Sequence, residues 1–514
     1  MFSGAPEGGS QARAVLETGG FFKRYMRTLT IWTLLRMSTG VSSSQTEHLY
    51  RSSTHLMALQ TQTVCSQGIF HGLPTYPETA DFTDLTAIVT GANGITGYSM
   101  VKVLAAAPKR WSKIYCLSRK PPPAYFYDEL GEGASARVVH VSVDFLSDPA
   151  TIAASMKAKI PRVDHVFFFS YMQPKQEGDV LSMWSNAQEL ADLNGENSLS
   201  FPARERVIPQ ADEKRVILSL AAANLTPKRF LLQTGAKHYG FHIGPATCPS
   251  FETDPHVQTE PNFYYVQEDM LAEHCRKFGC AWNVVRPSYV IGAVRESALN
   301  HLVGMSVYAS VQAYRGLPLA FPGDVAAWDR EHCQSTGLLN SYMEEWAVLS
   351  PHTANEAFNM QDGNPFTYGR LWPYLADWYG TGWTPPSEDE SAYKVVESRA
   401  EKPPRGYGPR GQTRYTFSLL EWSHDPAVQQ AWTELQRQHG LDFDPFASRD
   451  TVFGQTDSAV IGGWPLSLSM RKARRMGWLG SVDSYEAAFH ALRDMARLKV
   501  LVPLARDEWC EVVA

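Results

Sequence analysis

The chain has 514 residues, long for one domain and short for four, since domains usually run about 100–200 residues. With 44% hydrophobic, 12% aromatic and 19% charged residues it can build a large core, which excludes a disordered or fibrous chain. Its 47 basic and 53 acidic residues leave a net charge of -6, so no global positive field is available to hold a nucleic-acid backbone or an anionic membrane.

Small molecules are therefore the expected partners, with neither nucleic acid nor membrane, and a homodimer is left open. The seven cysteines, at 65, 116, 248, 275, 280, 333 and 510, show neither a CxxC pair nor a Cys/His zinc spacing. Reduced thiols in an intracellular compartment are expected.

Residues 1–65 are rich in Ser, Thr, Gly and Gln and carry no strand or helix period, which predicts a disordered leader. Within it, residues 21–37 place Lys23, Arg24, Arg27 and Arg36 among Leu29, Ile31, Trp32, Leu34 and Leu35, and no acid falls between Glu17 and Glu47. A mitochondrial presequence has that composition, but a plain leader is the simpler reading and the cytoplasm the expected compartment. No apolar run approaches the ~18 residues of a spanning helix.

From Leu85 the pattern changes. The apolar run Leu85–Thr90 leads into Gly91-Ala92-Asn93-Gly94-Ile95-Thr96-Gly97 and then Met100, Val103 and Leu104, which reads as strand, turn, helix. Strands are predicted at 113–118, 137–143, 163–170, 229–233 and 281–285, with helices at 150–158, 183–193, 216–224 and 266–278. The unbroken run Val166-Phe167-Phe168-Phe169 suits a parallel strand buried on both faces. Alternating strands and helices predict an α/β fold, a doubly wound parallel Rossmann sheet with a smaller, mixed C-terminal substrate-binding region.

Residues 194–214 are polar, charged and punctuated by Pro202 and Pro209, which predicts a surface insertion. After Arg286-Pro287 come mixed helices and loops, a Pro-, Gly- and charge-rich stretch at 385–412, and amphipathic helical spacing over 467–501. The expected organisation is a leader over 1–65, a nucleotide-binding Rossmann domain over 66–292 and a mainly substrate-binding region over 293–514.

Glycine at 91, 94 and 97, after a buried strand and opening a helix, clears the way for a pyrophosphate to reach the unpaired amides of the helix N-terminus. An NAD enzyme usually ends its second strand on an acid that holds the ribose hydroxyls, whereas this chain has Ser118-Arg119-Lys120. Two cations suit a 2′-phosphate, so NADP(H) is expected. Asp144 and Phe145, ending the third strand, are placed to meet adenine by hydrogen bond and stacking.

The Tyr-x-x-x-Lys of ordinary short-chain dehydrogenases is absent, because Glu268 and Asp269 stand four residues after Tyr264 and Tyr265. Lys237, just past the strand at 229–233, is positioned at the ligand crevice to take the lysine's place. Thr90-Gly91 to Gly97, Arg119-Lys120, Gln233-Thr-Gly-Ala-Lys237-His-Tyr239, Asn262-Phe-Tyr-Tyr-Val-Gln-Glu-Asp269 and Arg286-Pro-Ser-Tyr-Val-Ile-Gly292 occur in that order. Together they resemble the progesterone 5β-reductase and iridoid synthase-like group of atypical short-chain dehydrogenases (PRISE-like), with its fungal members. The likeness runs from about Gly68 to Pro503 and includes 469–478.

The resemblance implies an oxidoreductase of secondary metabolism that uses NADPH to reduce the C=C bond of an enone in a small hydrophobic steroid, terpenoid or polyketide-like molecule. It implies Tyr264 and Lys237 as the catalytic pair, with Tyr265 as a rival. Cofactor contacts would fall on Gly91, Gly94, Ile95, Thr96, Gly97, Arg119, Lys120, Asp144, Phe145, Ser170, Tyr171, Gln233, Val290, Ser297, Ala298 and Leu299, and no metal is required. An apolar substrate pocket is expected largely from residues after Val290. The plant members of that group have Thr-Trp where this chain has Ser170-Tyr171, and neither the leader nor the insertion has a counterpart. Two other readings stay open: carbonyl/alcohol redox or epimerisation with the same cofactor, and a non-catalytic NADPH-binding protein.

Other clusters have plainer readings. His238, His242 and His256 share a loop without the acids or cysteines a metal site needs. Cys275 and Cys280 are expected to pack. Trp372, Tyr374, Trp378, Tyr379 and Trp383 read mostly as core, with one or two facing a pocket, and Arg471, Lys472, Arg474 and Arg475 read as a solvated helix face.

Overall fold

Unbroken apolar runs dictate the central sheet. All six residues of β1 (Leu85–Thr90) are buried, as a strand covered on both faces must be. The other strands are β2 (Trp111–Ser118), β3 (Val138–Ser142), β4 (His165–Phe168), β5 (Arg229–Gln233), β6 (Ala281–Pro287) and β7 (Glu356–Met360). The computed structural model describes residues 63–170, 209–260, 262–295 and 300–511. In it the seven strands pair in parallel in the order β7-β6-β5-β4-β1-β2-β3. The order reverses between β1 and β4, which opens a crevice at the C-terminal strand ends where ligands of such sheets bind.

Helices cover both faces. Residues of α1 (Ile95–Ala105) share one core with those of α6 (Gly337–Leu349), while α2 (Pro149–Lys157), α3 (Pro209–Ala222) and α4 (Phe263–Phe278) pack into the other. Side chains of adjacent strand residues point to opposite faces, so Phe167 joins the first core and Phe168 the second. Truncating either to Ala is expected to cost about 3–5 kcal/mol. Contact between α1 and α6 is close because Gly337 has no side chain: a Cβ there would stand 2.8 Å from Ser99 Oγ. The remaining long helices are α5 (His301–Tyr314), α7 (Tyr368–Tyr379), α8 (Pro426–His439) and α9 (Ser484–Arg497).

The expected boundary at 292 does not divide the chain. β7, drawn from the region assigned to the substrate, pairs along its whole length with Asn283 to Pro287 of β6, and Thr63–Ala514 form one compact unit. A strand edge left open on β6 would expose unpaired backbone groups, and β7 closes it. Lys472, read as part of a solvated face, ties this edge down through a 2.6 Å ion pair with Glu356 and a 2.7 Å hydrogen bond to the Ala357 carbonyl. Arg471, Arg474 and Arg475 are exposed.

The insertion expected at 194–214 also needs correction at its end, since α3 begins at Pro209. Proline lacks an amide hydrogen, but the first turn of a helix needs none, so Pro209 starts the helix instead of breaking it. The rest of that segment, and the helix expected at 183–193, lie outside the described residues. The leader expected over 1–65 lies outside them too, save its last residues. Val64–Gln67 form a strand paired antiparallel with Phe70–Pro74.

Trp372, Trp378 and Tyr379 are core, Tyr374 packs between Trp378 and Tyr485, and Trp383 is 38% exposed. The amphipathic tail resolves into a short helix, Arg471–Arg475, and α9. Among the described residues no helix is long and apolar enough to cross a membrane.

Candidate active site

Each glycine of the β1–α1 turn has its own physical reason. Gly91 turns at a φ of +62°, and a Cβ there would stand 2.9 Å from the Phe169 carbonyl oxygen. A Cβ on Gly97 would meet the Gly91 carbonyl oxygen at 2.2 Å, so the helix can seat on the turn only without one. Around Gly94 the space is open, with only the Gly91 oxygen within reach, at 3.5 Å. Gly94 is also the N-cap of α1, with no side-chain cap, so the first-turn amides remain available to a phosphate.

These residues form one wall of a cavity of about 410 Å³, within the size range of small-molecule sites. Gly91, Gly94, Ile95, Thr96 and Gly97 line it from the β1–α1 turn and the first turn of α1, Ser170 and Gln233 from the ends of β4 and β5, and Val290 from the short strand Tyr289–Ile291 that follows β6. Gln233 Nε2 donates to Thr96 Oγ1 at 3.2 Å and so joins two of these elements. The cradle fits the pyrophosphate and nicotinamide end of a dinucleotide.

Arg119 and Lys120 lie exposed past the end of β2, and the Lys120 carbonyl accepts from Ser118 Oγ at 2.7 Å. Asp144 is exposed at the end of β3. Phe145 differs from expectation: its ring is 8% exposed and packs in the core against Phe168, 6.5 Å between centroids, so it is not free to stack on adenine. The alternation of a strand end puts Asp144 outward and its neighbour inward. Tyr171, Ser297, Ala298 and Leu299 lie outside the described residues.

Lys237 and Tyr264, from separate elements, both line the cavity. Lys237 follows β5 in a single helical turn, Ala236–Tyr239, and Tyr264 sits in the first turn of α4. A Cβ on Gly235 would stand 3.3 Å from the Tyr264 hydroxyl, so the absence of one leaves the phenol its place beside the loop. Burial pulls the Lys237 ammonium down to about 7.

Tyr265 is spent on structure. Its hydroxyl donates to the His238 carbonyl at 2.6 Å and accepts from the Val257 amide at 2.9 Å. Its ring stacks on His256 with centroids 3.8 Å apart, and it does not line the cavity.

A buried network fixes the loop that carries Lys237. Arg286 grips Glu268 through Nε at 3.0 Å and Nη2 at 2.6 Å, and His238 Nδ1 lies 3.3 Å from the same carboxylate. Burial alone would raise the Glu268 pKa, but His238 and Arg286 outweigh it and bring it to about 2. Burial lowers the pKa of His238, with the Arg286 charge adding to it, which keeps the imidazole neutral. Tyr239 donates to Asn359 Oδ1 at 2.5 Å on β7. His238 is thus a structural group, and among the described residues no cluster of His, Cys, Asp or Glu could hold a metal. Cys275 and Cys280 pack on the far core with their sulfurs 2.9 Å apart.

Sequence reasoning missed Asn262. Its Oδ1 caps α4 by accepting from the Tyr264 amide at 3.0 Å, and its Nδ2 donates to the Lys237 carbonyl at 2.9 Å. The signal was an N-cap residue opening the tyrosine motif. Phe169, Phe241, Gln267, Tyr289, His301 and Gln455 also line the cavity. Among the described residues, the pocket expected mainly after Val290 draws His301 and Gln455 from that part of the chain, and most of its lining comes from the strand ends.

Residues 202–401 match the PRISE-like Rossmann-fold domain. The chain is 29% identical over 413 residues to the short chain dehydrogenase gsfE of Penicillium aethiopicum, covering 78% of this chain and 95% of that protein. It is 27% identical over 426 residues to the (S)-8-oxocitronellyl enol synthase CYC2 of Camptotheca acuminata, covering 81% and 93%. Against the 3-oxo-Delta(4,5)-steroid 5-beta-reductase of Arabidopsis thaliana it is 29% identical over 308 residues, covering 57% and 69%.

Proposed function

We propose that this chain is a PRISE-like NAD(P)-dependent oxidoreductase of the short-chain dehydrogenase/reductase superfamily and uses NADPH to reduce the C=C bond of an enone in a small hydrophobic metabolite. The observation that carries the proposal is the presence of Lys237 and Tyr264 on the wall that the Gly91–Gly97 turn also lines, while Tyr265 is occupied elsewhere. Relatives named for a 3-oxo-Delta(4,5)-steroid 5-beta-reductase and an enol synthase support this chemistry over simple carbonyl reduction.

The reduced nicotinamide, when bound, supplies the hydride. The turn amides and Gly94 would hold its pyrophosphate, and Arg119 and Lys120 would receive the 2′-phosphate. The Tyr264 hydroxyl would donate a hydrogen bond to the enone oxygen and stabilise the enolate charge that forms as the β-carbon is reduced. Protonated Lys237 makes that phenol a stronger donor, and the low-dielectric walls strengthen both interactions. Asn262 and the Glu268–Arg286 pair hold these groups in position.

The test is turnover of an enone panel by the wild type, Tyr264→Phe and Lys237→Ala, with NADPH and NADH compared. The proposal expects NADPH-dependent saturation of the C=C bond and loss of about 10²–10⁴-fold in each variant. Equal activity in all three proteins would discard the assignment.

A further inference from the structure

Behind the Tyr289 wall of the cavity lies a buried cation whose two terminal nitrogens have no hydrogen-bond partner among the described residues. Arg330 is 9% exposed, and neither Nη1 nor Nη2 has a hydrogen-bond partner among the described residues. Its Nε donates to His332 Nε2 at 2.7 Å, which fixes the imidazole with its proton on Nδ1. His332 Nδ1, in turn, is buried without a partner. Asp324, an acid whose charge acts on Arg330, already accepts from the Ala327 amide at 2.9 Å.

The group therefore offers three donor atoms, Nη1, Nη2 and Nδ1, and leaves them unanswered. An unpaired guanidinium in a dry interior is costly, and a bidentate acceptor is what its planar fork fits best. The site joins the cavity through one residue. The Tyr289 ring lines the cavity, with the His332 ring 6.4 Å away and that of His301, also on the cavity wall, at 5.2 Å. His301 Nε2 is a further buried polar atom without a partner.

We propose that Arg330 and His332 form a carboxylate-binding subsite behind the Tyr289 wall of the substrate cavity, so that the natural substrate is an enone bearing a carboxylate remote from the reacting C=C bond. This rests on the enone reading above for the reaction, but the binding claim stands apart from it. A substrate would have to reach the subsite past Tyr289 and His301, which line the cavity where Arg330 and His332 do not, and its carboxylate would supply the two acceptor oxygens that Arg330 lacks.

The probe pair is a cyclohexenone with a five-carbon tail ending in a carboxylate, and its methyl ester. Each is titrated calorimetrically into the NADPH-loaded full chain and assayed for C=C reduction. Wild type is expected to bind the acid at least about 10-fold more tightly than the ester, the range of a charge-assisted hydrogen bond. Arg330→Met and His332→Gln are expected to reduce that ratio toward one, while Arg330→Lys retains part of it. Melting temperatures establish which variants are folded, and the wild-type ratio decides the matter if none is. Equal binding of acid and ester by the wild type, or a ratio unmoved in folded Arg330→Met, would overturn the subsite. Acid-selective binding without turnover would uphold it and fail the enone reading, whereas ester turnover without acid selectivity would do the reverse.

Discussion

Asn262 and Lys237 are joined by a 2.9 Å hydrogen bond from the asparagine Nδ2 to the lysine carbonyl. The same side chain caps the helix that carries Tyr264, so one residue sets the spacing between the lysine loop and the tyrosine helix. Replacing Asn262 with Ala removes a cap, expected to cost about 1 kcal/mol of stability, and also loosens the catalytic geometry. The expected outcome is a fall in kcat of about 10–100-fold with little change in KM for NADPH, measured by steady-state kinetics beside thermal melts.

The two adjacent tyrosines should separate by readout. Tyr264→Phe is expected to cut kcat by about 10²–10⁴-fold and leave the melting temperature nearly unchanged. Tyr265→Phe removes two loop hydrogen bonds and is expected to cost about 1–3 kcal/mol of stability. Reversal of the two patterns would exchange their roles.

Lys237 gives a pH signature. Its folded pKa of about 7 lies below the ordinary lysine value of 10.5, so it loses its charge as pH rises through about 7. With NADPH varied, kcat/KM is expected to fall across that pH, and Lys237→Met to abolish the limb. The unfolded state binds more protons between 7 and 10.5, so in this window stability rises with pH. Lys237→Met should consequently raise the melting temperature of the cofactor-free protein at neutral pH.

Glu268 acts in the opposite sense. Its folded pKa of about 2 lies below the ordinary 4.5, so its contribution to stability is present above 4.5 and lost as pH falls through about 2. Glu268→Gln removes the counter-charge of the buried Arg286 and is expected to cost about 3–5 kcal/mol in denaturant unfolding at pH 7.

The cofactor choice is testable at the end of β2. Replacing Arg119 and Lys120 together with Ala is expected to raise KM for NADPH by about 10–100-fold and leave that for NADH nearly unchanged, because only the 2′-phosphate is lost as a partner. Equal effects on both cofactors would place those cations elsewhere.

Much of this was legible in the sequence because local rules act locally. The run Leu85–Thr90 and the glycines after it announce strand, turn and helix, and Arg229–Gln233 forms with the ends expected. What stayed hidden depends on distant chain. β7 belongs to the sheet only because its backbone finds the open edge of β6, a pairing 73 residues apart at Asn283 and Glu356 that no local period signals. Pro209 looked like a breaker because its role turns on where the helix begins. The different surroundings of Tyr264 and Tyr265 depend on the packing of the 238–257 loop, since neighbours on a helix point in different directions.

The most direct measurement follows the transferred hydrogen. Wild-type protein is incubated with an enone and NADPH carrying deuterium at C4 of the nicotinamide on the transferred face, and the product is read by deuterium NMR. A saturated ketone labelled at the β-carbon is expected, with the signal lost in Tyr264→Phe. Label on a carbinol carbon, or no transfer while NADPH is bound, would contradict it.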